Sequence, residues 1–106
     1  MRDITVVIPY RNGWPGITRL LDSLPPDVPV IIVDDMSLER LSVSGPRVIC
    51  LTERGYFAGA VNAGLHACST DVLVLNQDVT VNTGLFSFLE ANRTEYAVIG
   101  DGVMNH

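Results

Sequence analysis

Three short polar clusters hold most of the residues able to do chemistry: Tyr10-Arg11-Asn12-Gly13, Asp34-Asp35-Met36-Ser37 and Asn76-Gln77-Asp78. Asp34, Asp35 and Asp78 supply carboxylates, and Arg11 and Arg54 are the obvious nearby cations. Carboxylates gathered on one edge repel one another, and they repel a bare phosphate unless a divalent metal intervenes. Mg²⁺ binds through one or two carboxylates together with substrate phosphates. The set therefore favours a metal–diphosphate ligand, with the aspartate pair left to accept hydrogen bonds from a base or ribose. Tyr10 offers a flat face to a nucleobase. Each group also has a plainer use. Asp78 suits a turn cap equally well, because strand ends are rich in aspartate for turn reasons. Tyr10 equally suits a surface aromatic beside a proline.

The elements that must position these clusters are legible in the apolar runs. Val72 to Asn76 reads as a buried central strand, apolar on both faces as in parallel sheets, and its polar residues arrive together where it should emerge. Ile4 to Pro9 and Val28 to Val33 read the same way, and Val48 to Leu51 is a shorter strand. Pro15 suits a first helical position ahead of Ile17, Leu20, Leu21 and Leu24, and Pro25-Pro26 ends that helix. Residues 38 to 46 read as a loop. In the segment after Glu53, Phe57, Val61, Leu65 and Cys68 share one helical face, with alanines and glycines around them. Those small residues imply close packing on the sheet or on a ligand, and His66 falls opposite this face. Leu85, Phe86, Phe88 and Leu89 make a further helix capped by Asn82 or Thr83, and Tyr96 to Ile99 a last strand. The order predicts one α/β domain over residues 1–106: a three-layer, open, mostly parallel sheet with helices on both faces. All three polar clusters then share the carboxyl rim, where such sheets bind ligands.

Composition narrows the partners. The 106 residues are 47% hydrophobic with mean hydropathy +0.28, enough for one cored domain. The formal charge is −5 and all seven basic residues are arginines, so no basic run exists to meet a nucleic-acid backbone. Cys50 and Cys68 lie in apolar stretches without metal-ligand spacing, and read as reduced core residues of a cytoplasmic protein. Apolar runs are of strand length, with no signal peptide or membrane span.

Rival phosphate motifs fail on inspection. Gly59 to Gly64 has the two-glycine spacing of a P-loop, but Leu65-His66 follows where Lys and Ser/Thr are required. The turn after the first strand, Tyr10-Arg-Asn-Gly-Trp-Pro, lacks the Gly-x-Gly-x-x-Gly of dinucleotide folds. A receiver domain needs a lysine, and this chain has none.

Taken together, Val6-Val-Ile-Pro-Tyr-Arg-Asn12, Val33-Asp-Asp-Met-Ser37, the Gly55 to Gly64 segment and Leu73-Val-Leu-Asn-Gln-Asp78 resemble family 2 glycosyltransferases of the GT-A fold. The Asn-x-Asp form of the metal motif and the Gly-rich helix are similar to the rhamnosyltransferase-like branch. The resemblance implies that Pro9, Tyr10, Asn12, Asp34, Asp35, Asn62 and Asn76 contact a nucleoside-diphosphate sugar. It implies that Asp78 holds a bridging Mg²⁺ or Mn²⁺. It further implies an inverting transfer to a saccharide or lipid-linked acceptor, in the cytoplasm or peripherally at the inner membrane. The Gly55 to Asn62 segment is one residue longer than that branch's usual form. The family's acceptor-binding half and acidic catalytic base have no counterpart in these residues. The expectation is thus a donor-binding half, prone to homo-oligomerise through a face the other half would cover. A non-catalytic nucleotide-binding or assembly module is the alternative.

Overall fold

The computed structural model describes residues 4–39, 41–82 and 84–92. Four strands, β1 (Ile4–Tyr10), β2 (Val30–Asp34), β3 (Arg47–Cys50) and β4 (Asp71–Val74), form one sheet in the order β3-β2-β1-β4. Every neighbouring pair is parallel. β1 lies inside the sheet, with Val6 in register with Val30 of β2 and with Leu73 of β4. Its run Ile4 to Ile8 is buried throughout, as befits an inner parallel strand, and the hydroxyl of its one polar residue, Thr5, is hydrogen-bonded to that of Thr70. The edge strands β3 and β4 are only half-buried.

Alternate residues face opposite layers. Val6, Ile8, Tyr10 and Ile32 join Ile17 and Leu20 of helix α1 (Ile17–Ser23) and Phe86 and Leu89 of helix α3 (Gly84–Asn92) in one core. Val7, Ile31 and Val33 face the other way, onto Ala60 of helix α2 (Tyr56–His66). Helices therefore cover both faces, and the expected three-layer α/β architecture is observed. The Asn82 side chain accepts the Gly84 N–H at 2.9 Å at the start of α3, as one of the two predicted caps. The predicted strand over Tyr96–Ile99 lies outside the described residues.

Four expectations need correction. The strand read as buried and central, Val72 to Asn76, is β4 (Asp71–Val74), which stands at one end of the strand order among the described residues and is half-buried because it pairs there on one side only, with β1. The other three concern α2, the cysteines and α1. First, α2 does not bury its large apolar residues. Phe57 is 56% and Leu65 45% exposed, while Ala60 and Gly64 are the buried pair. Gly64 lies so close to Val7 that a Cβ there would overlap the valine's Cγ1. Close approach of backbone to sheet, not side-chain bulk, seats this helix. Second, Cys50 is exposed, because β3 is an edge strand and Cys50 is its last residue. Cys68 is half-buried and its thiol donates to the Gly64 carbonyl. Third, α1 starts at Ile17, two residues past Pro15, after turn bonds such as Ile17 N–H to the Gly13 carbonyl at 2.9 Å. Among the described residues no helix is long and apolar enough to cross a membrane.

Candidate functional site

The carboxyl ends of β1, β2 and β4 lie side by side, and a cavity of about 370 Å³ opens there. Pro9, Tyr10 and Arg11 from β1 and its loop form the floor. Asn76, Gln77 and Asp78, following β4, form one wall. Asp35, Arg54 and the first turns of α2, with Tyr56, Phe57 and Ala60, form the other. The volume falls in the range of small-molecule sites, and the position is where open α/β sheets take ligands.

Side chains tie the rim loops to one another. Gln77 clamps the backbone of Arg11 from both sides: its Oε1 accepts the Arg11 N–H at 2.7 Å, and its Nε2 donates to the Arg11 carbonyl at 3.1 Å. Asn12 joins the loops after β1 and β2. Its N–H donates to Ser37 Oγ at 2.9 Å, and its Oδ1 accepts the Leu38 N–H at 2.7 Å. Asn12, Met36 and Tyr56 all hold left-handed backbone, with φ of 51°, 63° and 57°. A non-glycine residue stays in that region only where its surroundings over-determine it.

The two neighbouring aspartates have separate roles. Asp34 is buried and its Oδ1 accepts the Ser37 N–H at 3.0 Å, closing the turn after β2. Asp35 is also buried, and both of its oxygens serve the start of α2. Oδ1 accepts the Gly55 N–H at 2.7 Å, and Oδ2 accepts the Tyr56 N–H at 2.9 Å and Arg54 Nε–H at 3.0 Å. Burial, the largest single influence, pushes its pKa up. The Gly55 amide, the Arg54 side chain and charge, and the Tyr56 amide together outweigh that and hold it below the ordinary carboxylate value. Tyr10 is 2% exposed, and burial, helped by the charges of Asp34 and Glu39, raises its hydroxyl pKa.

Of the eight residues the sequence nominated, Pro9, Tyr10, Asp35, Asn76 and Asp78 line the cavity together. Asn12, Asp34 and Asn62 are not in its lining. Asn12 and Asp34 shape the loops, and Asn62 is exposed on α2. The buried ring of Tyr10 leaves little free face for a base. Sequence reading passed over Gln77 as a clamp, and put Phe57 on the core face of its helix and not in the cavity wall. For α2, the signal was the glycine- and alanine-rich pattern, which frees the large residues from core duty.

Asp78 is exposed and forms no hydrogen bond or ion pair among the described residues. No group of three or more His, Cys, Asp or Glu able to hold a metal ion occurs among them. A hard cation here would therefore have one free protein carboxylate, Asp78, and would need oxygen atoms of a ligand to complete its shell. That donor set fits Mg²⁺ or Mn²⁺ carried with a diphosphate and does not fit a permanently bound structural metal.

Comparison with known proteins agrees with this geometry. Residues 5–100 match the model of the family described as "Glycosyl transferase family 2". The "Pre-mycofactocin glycosyltransferase" of Mycobacterium tuberculosis (strain CDC 1551 / Oshkosh) is 42% identical over 91 residues, covering 78% of this chain and 19% of that protein. The protein of the same name from strain ATCC 25618 / H37Rv matches equally. The chain thus spans about a fifth of the length of these relatives. Crystal structures of S. aureus TarS share the fold. One superposes over all of this chain and 24% of its own with a TM-score of 0.67 at 18% identity. TarS 1-349 gives 0.68 at 19% identity, over all of this chain and 40% of its own. A GT-A-type α/β domain, a polar cavity on its carboxyl rim and a family match over nearly its whole length lead to one conclusion: the chain belongs to glycosyl transferase family 2.

Proposed function

We propose that this domain holds a nucleoside-diphosphate sugar, with Mg²⁺ or Mn²⁺, for inverting transfer of the sugar to an acceptor hydroxyl. The observation that carries the reading is the free carboxylate of Asp78 on one wall of the rim cavity, opposite Arg54 and the start of α2. Asp78 would hold the metal, and Asn76 beside it would reach the phosphates or the sugar. Pro9 and Tyr10 would floor the nucleotide's seat. Asp35 would act by fixing α2, because its oxygens are already engaged. Asn12 and Asp34 would act through the loop shapes they set.

In the reaction, the acceptor oxygen bonds to the anomeric carbon while the bond from that carbon to the diphosphate oxygen breaks. A bound divalent ion supplies charge stabilisation on the departing diphosphate. The acceptor's proton goes to a base outside the residues described here. The acceptor is a saccharide or a lipid-linked acceptor, and the sequence motifs favour the rhamnosyltransferase-like branch.

Calorimetric titration with UDP, dTDP, GDP and ADP tests this directly. At least one should bind with Mg²⁺ present and lose that binding in excess chelator. Binding indifferent to chelator overturns the metal role, and no binding by any of the four overturns the reading. Transfer assays with the corresponding sugar donors then separate an enzyme from a non-catalytic nucleotide-binding module.

A further inference from the structure

We infer that Tyr56, stacked with Arg54, is the platform on which the nucleobase lies, which makes it a residue that sets the cavity's affinity for the nucleoside part of its ligand. The inference rests on the donor-binding reading above.

The sheet order fixes where each part of a nucleotide can go. Asp78 follows β4, the floor comes from β1, and Asp35, Arg54 and Tyr56 adjoin β2 and α2. Neighbouring strands are about 4.8 Å apart, so the two walls are separated by roughly 10 Å. That matches the reach from a diphosphate across a ribose to its base. A diphosphate anchored at Asp78 therefore directs the base to the Arg54–Tyr56 wall.

The wall offers an available aromatic face, unlike the floor. Tyr10 is 2% exposed, whereas Tyr56 is 65% exposed. The Arg54 guanidinium carbon lies 4.1 Å from the centroid of the Tyr56 ring, so one side of the ring is already stacked. Arg54 is fixed in turn by Asp35, which also accepts the Tyr56 N–H. A large, mostly exposed ring is thus held on left-handed backbone (φ 57°) by a buried carboxylate. Among the described residues, Tyr56 belongs to neither hydrophobic core cluster. The inference from such a strained, over-determined residue runs toward ligand contact. Stacking tolerates any base, because every base has a π-face. The platform therefore sets affinity for the nucleoside part, and hydrogen bonds elsewhere choose among bases.

The test compares Tyr56→Ala and Tyr56→Phe with wild type, titrating each with the four nucleoside diphosphates and with inorganic diphosphate, all with Mg²⁺. Circular dichroism and thermal melting of each variant accompany the titrations. The expected result is a Kd for nucleoside diphosphate raised about tenfold or more in Tyr56→Ala. Tyr56→Phe should stay near wild type, inorganic diphosphate should bind all three alike, and the folds should be indistinguishable. Equal nucleoside-diphosphate affinity in Tyr56→Ala and wild type overturns the platform and leaves donor binding standing. An equal loss for inorganic diphosphate overturns it too, since Tyr56 would then act through the shape of the whole site. A wild-type protein that binds none of the four nucleotides overturns both readings.

Discussion

The carboxylate of Asp35 and the amide of Gly55 meet at 2.7 Å, joining the end of β2 to the start of α2. With Tyr56 and Arg54 also bound to it, Asp35 is the keystone of one cavity wall. Replacing it with asparagine keeps the size but removes the charge and turns one acceptor into a donor facing an amide or Arg54. Asp35→Asn should cost about 1–3 kcal/mol of stability, from buried donors left without a charged acceptor. In a domain near this size that lowers Tm by about 4–8 °C per kcal/mol, read by differential scanning calorimetry.

The same contacts set a pH dependence. The pKa of Asp35 is lowered in the fold from its ordinary value of 3.8. On acidification the unfolded chain therefore takes up the proton first, and stability falls. The contribution of Asp35 is complete above about pH 4 and is lost as pH drops through the lower folded value. Urea midpoints measured from about pH 6 down to about pH 3 should fall more steeply for wild type than for Asp35→Asn. Parallel curves would remove Asp35 from the acid limb.

Two glycines of α2 should respond in opposite directions. A methyl group at Gly64 meets Val7 and must push the helix off the sheet, so Gly64→Ala should destabilise by about 1–3 kcal/mol. A methyl group at Gly59 finds nothing within 4 Å. Gly59→Ala should stabilise by about 0.5–1 kcal/mol, through helix propensity alone. Paired thermal melts check the sign of each.

Asp78→Asn should leave the melting temperature within about 2–4 °C of wild type, since changes away from structural partners are usually within ±0.5 kcal/mol. Nucleotide affinity measured with Mg²⁺ should fall by about tenfold or more, with weaker dependence on the metal, as the ion loses its protein carboxylate. A stable variant with unchanged metal-dependent affinity would move the ion away from Asp78.

Much of the fold was legible because inner parallel strands leave long apolar runs. Ile4 to Ile8 and Ile31 to Val33 could hardly be anything else, and the polar residues after them marked the rim correctly. The α2 face was misread for a physical reason: periodicity weighs large apolar side chains such as Phe57 and Leu65. The packing contact there is made by Ala60 and Gly64, whose value is the absence of bulk. Asp34 and Asp35 were legible as rim residues but not as caps. Which amide a carboxylate meets depends on loops brought together across the sheet, and sequence spacing does not show that. Cys50 was misplaced because its surroundings looked apolar along the chain, while strand order put it on an open edge.

The clamp between Gln77 and Arg11 also bears on how binding couples to stability. β1 lies near the amino terminus, yet it needs both the second strand and the fourth as neighbours. The β1–β4 pairing closes a longer stretch of chain than β1–α1–β2 does, and so costs more loop-closure entropy. The rim is complete only when β4 is paired with β1 and Gln77 has closed on the backbone of Arg11. A nucleotide held between both walls, as proposed above, would recognise only chains in which this contact is made. By mass action such a ligand would favour the folded chain with its rim closed, so the proposed binding would also raise the protein's stability.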